Sequence, residues 1–333
     1  MKNNLKEGHA MKDIITLGEL LIDLTQTRID DKGIRHFAAN PGGAPANVAV
    51  ACARLGASAG FIGKVGADVY GRDLRDVLER DGVDTAGLYE TASALTTQAL
   101  VSVSETGERD FSFYRSPGAD SLLTKAEVLA ALREAPKVLH IGSVSLTADP
   151  ARSATIAAAE HARARGALVS YDPNYRAALW SDETTAVEWM KKPLPLADIL
   201  KISDEELPLL TGTDEPEAGS HVLEEMGVSL ILITLGGAGT FYRLRGVGTG
   251  TVPSFSVEVA DTNGAGDTFL GALLSRLTAR GDKPLEGLDR TEIEKIIRFA
   301  NCAAALTCSR PGAISAMPAR AEVEARLREE KER

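Results

Sequence analysis

Cysteine is scarce in this chain of 333 residues. Cys52, Cys302 and Cys308 form no CxxC pair, so neither a disulfide framework nor a cysteine-based zinc site is available. A reducing, cytoplasmic setting is the expectation. Histidine is equally thin: His9, His36, His140, His161 and His221 are scattered without HExxH-like spacing. They read mostly as surface or lightly buried residues, and histidine catalysis has no support. Positive charge is also lacking. Lys and Arg total 37 against 47 Asp and Glu, a formal charge of -10, which excludes the broad basic surface that nucleic acid or an anionic membrane requires. No long apolar run exists at the amino terminus: MKNNLKEGHA has no signal-peptide core, and the run from Ile14 to Leu24 is broken by Glu19 and Asp23. Repeats, low-complexity tracts and Pro/Ser-rich linkers are missing as well, so no boundary between independent domains is indicated.

What is present is an ordinary globular balance, 44% hydrophobic and 25% charged, in a chain long enough for a large core. Apolar runs alternate with helical patterns. Val138–Ile141, Leu168–Tyr171, Ile199–Ile202 and Leu230–Ile233 read as strands, and Ala151–Arg165 as an alanine-rich helix. Such repetition predicts an α/β fold of three α/β/α layers around a mainly parallel sheet, with ligands at the carboxyl ends of its strands. Two stretches break the alternation. Residues 24–39 and 96–115, the second a hairpin turning at Glu105–Glu108, predict a small β-sheet that serves as a lid over a ligand or as an oligomer surface. The predicted organisation is one domain over 11–320 containing that lid, with extensions at 1–10 and 321–333, the latter a charged helix or frayed tail with a solvated face.

Glycine is in mild excess: 31 residues, about 9% against a usual value near 7%. The most informative cluster follows Phe255, Val257 and Val259, whose alternation predicts a strand. Asp261-Thr262-Asn263-Gly264-Ala265-Gly266-Asp267 then leads into Phe269, Leu270, Leu273, Leu274 and Leu277 at helical spacing, ended by Gly281. This delivers the N–H groups of Gly264, Ala265 and Gly266 to a helix amino terminus, where they and the dipole favour a phosphoryl group. Asp267 is out of place beside an anion unless it accepts the proton of an attacking hydroxyl. The structural alternative is a helix cap behind a tight turn.

That heptapeptide resembles the carboxyl-terminal signature of the ribokinase-like sugar kinases, the PfkB carbohydrate kinase family. The amino-terminal signature is matched by Asn40-Pro41-Gly42-Gly43-Ala44-Pro45-Ala46-Asn47, continuing to Gly56. The resemblance runs from about Ile15 to Pro318 and is greatest to the family's fructokinases. Physically, Gly42-Gly43 allows close backbone approach, Pro45 suits a first helical turn, and the Asn47 amide can donate to and accept from a polyhydroxyl ligand. Asp23, placed at the end of the first strand, is suited to two adjacent hydroxyls. The resemblance implies that Asp23, Gly42, Gly43 and Asn47 hold a sugar.

Further segments carry the resemblance to the nucleotide side. Lys201-Ile202-Ser203-Asp204-Glu205-Glu206 corresponds to an Asn-x-x-Glu pattern with Ser203 in place of Asn. It implies that Glu206 helps to hold Mg2+ through water, with helix capping as the alternative, and Lys201 supplies local positive potential. Thr234-Leu235-Gly236-Gly237-Ala238-Gly239 resembles the nucleotide loop, placing Thr234, Gly236 and Gly239 against ATP. Asn301 matches the helix beside adenine, or simply packs there. Asp172-Pro173-Asn174-Tyr175-Arg176 resembles a DPNxR motif that directs Asn174 and Arg176 into the crevice, an Asp172–Arg176 ion pair being the alternative. Phe113-Tyr114-Arg115-Ser116-Pro117-Gly118-Ala119-Asp120 is similar to the FYRxPGAD segment of fructokinases. Ketodeoxygluconate kinases tend to show a YYRxxSA pattern there, but an Arg115 that binds substrate could also hold a sugar-acid carboxylate, which keeps such a kinase as the alternative. The resemblance also implies a monovalent cation, K+, near Asp261, Asn263 and the backbone of residues 307–312.

The expectation is therefore an ATP-dependent sugar kinase, a fructokinase acting on the 6-hydroxyl of D-fructose with Asp267 as base, and dimeric through the lid. A non-catalytic sugar sensor is disfavoured by the intact Asp267, glycine loop and Glu206. A nicotinamide oxidoreductase lacks its GxGxxG and acidic partner.

Overall fold

The structure, a computed structural model, describes residues 12–103 and 109–330. In chain order its strands are β1 (Ile14–Leu17), β2 (Leu21–Ile29), β3 (Arg35–Gly42), β4 (Ala59–Gly66), β5 (Asp84–Thr91), β6 (Gln98–Val103), β7 (Arg109–Tyr114), β8 (Val138–Gly142), β9 (Leu168–Asp172), β10 (Ile199–Ser203), β11 (Leu230–Thr234), β12 (Thr240–Leu244) and β13 (Gly248–Val252). Nine form one sheet in the order β13-β12-β11-β10-β9-β8-β1-β4-β5. It is parallel from β11 to β5, and β12 and β13 extend it antiparallel.

Continuous apolar runs produce this sheet because both of its faces are covered. On β11, Leu230 and Leu232 enter one core, shared with Phe269 and Leu273, while Ile231 and Ile233 enter another, shared with Ala158 and Leu207. The strand period of two divides one run between two helix layers. The chain leaves β1 toward β4 on one side, and β8 continues to β9 and β10 on the other. The carboxyl ends of β1 and β8 thus meet at a topological switch point, where open α/β sheets bind ligands.

The second sheet has four strands in the order β3-β2-β6-β7. Two antiparallel pairs are joined by parallel pairing of β2 with β6. The 98–114 hairpin forms as expected, although its turn at Glu105–Glu108 lies outside the described residues.

Four expectations are corrected. The run Ile14–Leu24 is two strands, broken where a side chain on Gly18 would come within 2.6 Å of Pro45, so Asp23 belongs to β2 of the small sheet and not to the end of the first strand. Phe255–Val259 forms no ladder. Burial alternates only at its start, with Phe255 buried, Ser256 exposed and Val257 half-buried, while Val259 is exposed; Phe255 finds cover against Arg298 of the helix Arg290–Cys308 at 5.0 Å. His140 is fully buried in β8, 3.2 Å from the Ser170 hydroxyl, and burial, assisted by the Lys201 charge, pushes its pKa down to about 3. The charged segment after Pro318 does form a helix, Arg320–Glu329, but its Val323 joins the core, so it is not a solvated face throughout.

Two helices place the candidate site. Ala44–Arg54 follows Gly43, and Ala265–Thr278 follows Gly264, which adopts a left-handed φ of 73°. They cross at Gly271, where an added Cβ would lie 2.5 Å from the Ala51 Cβ. Gly271→Ala is expected to destabilise the protein by ~1–3 kcal/mol through overpacking and to lower activity by pushing the helices apart. A melting curve and a steady-state assay on the same sample check this.

Candidate active site

A cavity of about 110 Å³ opens at the switch point. Asp23, Asn47, Phe113, Asn174, Arg176 and Asp267 line it, together with Gly43, Gly264 and Asn263. Residues separated by more than 200 positions thus meet within one small volume. Two more open hollows, of about 430 and 740 Å³, lie around Ala131 and Pro136 toward the amino ends of the strands and carry none of the expected site residues.

Asn47 anchors the arrangement. Its Nδ2 donates to Asp267 Oδ2 at 2.8 Å, and its Oδ1 is buried with no partner, an acceptor that a sugar hydroxyl can satisfy. Gly42 is needed beside it because a side chain there would collide with the Asp23 carboxylate. Gly43, at φ 106°, passes so close to the Glu19 carbonyl that no Cβ fits. Burial raises Asp267 to about 6; the Asn47 hydrogen bond opposes the rise, the Asp172 charge adds to it, and Lys201 and Arg176 oppose it. Asp23 is likewise raised to about 6 by burial, with Arg176 opposing and Asp267 adding. Arg176 is exposed, and its guanidinium donates to the Asn174 and Tyr175 carbonyls at 3.4 and 3.0 Å.

The helix amino terminus is arranged for an anion with one correction. Gly264 and Gly266 have no intramolecular acceptor for their N–H groups among the described residues, but Ala265 donates to the Thr262 carbonyl at 3.3 Å and closes the turn. Beneath the loop lies Lys201, its Nζ 3.0 Å from where a Cβ on Gly266 would stand. The same ammonium donates to Asp172 Oδ2 at 2.8 Å. Burial alone would lower the Lys201 pKa, yet Asp172 and Glu206 raise it and keep the ammonium charged. The alternative pairing of Asp172 with Arg176 is therefore not formed. Asn174, with φ 46°, is held instead by its N–H on Asp172 Oδ1 at 3.1 Å.

Glu206 is buried, and both of its oxygens are engaged: Oε1 accepts from the Tyr175 N–H at 2.7 Å, Oε2 from the Ser203 N–H at 2.9 Å. Remaining lone pairs suit ordered water better than direct metal coordination, and among the described residues no group of three or more His, Cys, Asp or Glu is placed to hold a metal. This donor set fits Mg2+ held mainly by phosphates and water. Thr234 donates its hydroxyl to the Ile202 carbonyl at 3.3 Å, and Gly236, at φ 55°, has open space where a Cβ would be. Gly239 is required by the close Val252 and Pro253 backbone. Asp261 ties the glycine loop to the segment after the helix Arg290–Cys308, accepting from the Asn263 N–H at 3.0 Å and the Gly312 N–H at 3.1 Å.

Two expected ligand residues have other work. Asn301 accepts from Thr240 Oγ1 at 2.8 Å and donates to the Val252 and Pro253 carbonyls at 3.0 and 3.1 Å, so its amide packs and fixes the end of β13. Arg115 does not line the cavity: its Nε and Nη2 grip Asp120 Oδ2 at 2.8 and 2.7 Å. Glu19, Leu21, Ala44, Val144 and Ala313, which the sequence does not single out as site residues, also line it. Glu19 is raised to about 7 by burial and accepts from the Ala44 N–H at 3.1 Å. Its signal was the acidic residue interrupting an otherwise apolar run.

Comparison with known proteins agrees with this geometry. Residues 11–320 match the pfkB family of carbohydrate kinases, and the chain belongs to that family. It is a phosphotransferase with a sugar acceptor, built on the ribokinase-like fold. It is similar to Fructokinase-1 of Oryza sativa subsp. japonica, 44% identical over 313 residues that cover 93% of this chain and 96% of the relative. Among solved structures, the fructokinase of Xylella fastidiosa with bound ATP superposes with a TM-score of 0.89 at 36% identity, covering 96% of this chain and 100% of that one. The fructokinase of Vibrio cholerae O395, with fructose, ADP and calcium ion bound, gives 0.84 at 33% identity over 95% and 98% of the two chains.

The raised Asp267 carries a stability consequence. Because its native pKa of about 6 exceeds the ordinary 3.8, the native state binds the proton more tightly than the unfolded chain. Stability from this group is therefore greatest at low pH and is lost as pH rises from about 4 through 6, at a cost of roughly 1–3 kcal/mol once ionised. Asp267→Asn is expected to raise the melting temperature at pH 8 by a few degrees while removing activity, with the difference vanishing near pH 4. Thermal scans across pH check this, and a variant less stable at pH 8 would contradict the assignment.

Proposed function

We propose that the protein is an ATP-dependent fructokinase that transfers the γ-phosphoryl group of ATP to the 6-hydroxyl of D-fructose. The observation that carries this reading is Asp267 Oδ2 held by Asn47 Nδ2 at 2.8 Å, in a cavity shared with Asp23 and beside a helix amino terminus with free N–H groups. In the reaction the sugar oxygen bonds to the γ-phosphorus, the bond from that phosphorus to the β–γ bridging oxygen breaks, ADP leaves, and the hydroxyl proton passes to Asp267.

Asp23 and Asn47 orient the sugar hydroxyls, with Gly42, Gly43, Phe113 and Asn174 shaping their surroundings. The Gly264 and Gly266 N–H groups, Lys201 beneath them and Arg176 at the mouth stabilise charge on the transferring group. Thr234, Gly236 and Gly239 form the nucleotide side. Mg2+, when bound, neutralises the phosphates, and Glu206 would hold it through water. K+ near Asp261 and Asn263 would steady the loop that carries Gly264. The small sheet acts as a lid that excludes water. Its exposed Ile29, Phe37 and Tyr114, with Ile34 in the β2–β3 turn, support dimerisation through the same surface. Among the described residues no helix is long and apolar enough to cross a membrane, and we place the enzyme in the cytoplasm.

Fructose is favoured over a sugar acid because the relatives bear that name and because the Arg115 guanidinium is already held by Asp120. The test measures ADP release with fructose, ribose, ketodeoxygluconate and adenosine at equal concentration. Fructose should be the best substrate; preference for the sugar acid would overturn the substrate but not the reaction. Asp267→Ala should lower kcat by ~10²–10⁴-fold with sugar and ATP affinities within a few-fold, and normal turnover would remove Asp267 as the base. Since the base must be ionised, kcat/KM should fall as pH drops below about 6, where Asp267 takes up its proton.

A further inference from the structure

Four backbone connections join the small sheet to the main body: residues 18–20 after β1, Gly43 after β3, 92–97 after β5 and 115–118 after β7. Each is fastened near the sugar cavity. Glu19 of the first accepts from the Ala44 N–H, next to the second, at 3.1 Å. Thr97 of the third donates its hydroxyl to Asp120 Oδ1 at 2.5 Å, while Arg115 of the fourth grips Asp120 Oδ2 with two nitrogens. The third connection is also tied to the residue that follows the fourth, through Ala119 N–H to the Leu95 carbonyl at 2.9 Å.

Arg115 reaches beyond this pair. Its Nη1 donates to Thr147 Oγ1 at 2.6 Å and its Nη2 to the Val144 carbonyl at 3.3 Å, both in the segment that leaves β8. Val144 lines the sugar cavity. The side chains of Arg115 and Asp120 are only 7% and 2% exposed, so the guanidinium is committed to the protein and has no free fork for a ligand. Only the planar five-donor geometry of arginine reaches three acceptors on two segments at once; a lysine ammonium would keep the charge but lose the fork.

We propose that Arg115, locked on Asp120, is a positioning residue: a latch that sets the angle at which the small sheet meets the body and thereby the place of Asp23 and Phe113 over the sugar. It touches neither substrate nor nucleotide. The inference rests on the reading that the small sheet covers a sugar, and it deepens that reading by giving the fructokinase-like FYRxPGAD segment a mechanical task. Misplacing the sheet weakens sugar capture and admits water, whereas the nucleotide loop around Gly236–Gly239 belongs to the body and is unaffected.

Arg115→Lys in the full chain tests this. The expected result is a rise of ~10-fold or more in the sugar KM, ATP affinity within twofold, and a several-fold larger share of ATP hydrolysed without sugar phosphorylation. Thr147→Val, which removes one acceptor and adds no buried charge, should move the same quantities in the same direction by ~3-fold and serves where the lysine variant folds poorly. Folded variants with unchanged sugar KM and unchanged coupling would make the cluster merely structural and overturn the proposal. So would a wild-type activity on ketodeoxygluconate that Arg115→Lys abolishes, since Arg115 would then be touching the substrate. If the wild-type enzyme prefers a sugar other than fructose, the substrate reading fails, and the latch is read from the KM of the preferred sugar.

Discussion

The contact between Asn47 and Asp267 is the constraint on which the rest of the site depends. It joins two residues 220 positions apart, each in the first turn of its own helix, and it requires those helices to approach until backbone meets side chain at Gly271. Both helices also start from glycines in conformations that side chains rarely adopt: Gly43 passes against the Glu19 carbonyl and Gly264 against Ala313. A Cβ at either position would move a helix start, and with it Asp267 or the Asn47 amide that holds it. These two glycines are needed because each helix start lies against another segment of the chain.

Electrostatics explains why the site is costly and why it is built in this way. Two carboxylates, Asp23 and Asp267, share a cavity of about 110 Å³; burial raises both, and the Asp267 charge adds to the rise of Asp23. A third, Asp172, adds to the load on Asp267 but is itself bound to Lys201. The buried ammonium beneath Gly266 therefore serves two sides, holding Asp172 and lending positive potential to the loop above. Arg176 lowers both cavity carboxyls from the solvent side. The Asp267 carboxyl is thereby raised to about 6, ionised at neutral pH yet more basic than an exposed aspartate, as the proposed role of base requires.

The sequence was most legible where chemistry and backbone geometry coincide. The glycine turn, the strand ends and the two small-residue helices were readable because Gly, Pro and apolar spacing act locally. Asn301 and Arg115 were not, because their partners come from distant segments: Thr240, Val252 and Pro253 for one, Asp120, Thr147 and Val144 for the other. An amide or guanidinium suited to a ligand is equally suited to a protein carbonyl, and only the fold decides between them. Phe255–Val259 shows the same limit for strands. Alternation marks Phe255, Val257 and Val259 alike; the first two pack in the core without a ladder, and Val259 is exposed. Glu19 illustrates the converse: with Asp23 it interrupts an apolar run, and only the fold shows that it lines the cavity.

An acidic chain that handles a polyphosphate must supply positive potential locally, and the cations here are distributed by task. Lys201 is buried and paired, so its contribution is fixed before any ligand arrives. Arg176 is exposed at the mouth and bonds only to backbone carbonyls, so its charge is free to follow a phosphoryl group. Arg115 is withdrawn from ligand binding altogether. That division follows from desolvation: a buried cation needs a buried anion, and once Asp120 or Asp172 provides one, the cation acts through position more than through net charge. The net charge of the whole chain therefore excluded nucleic acid but said nothing against ATP, because recognition of phosphate at a helix amino terminus is decided within a few ångströms.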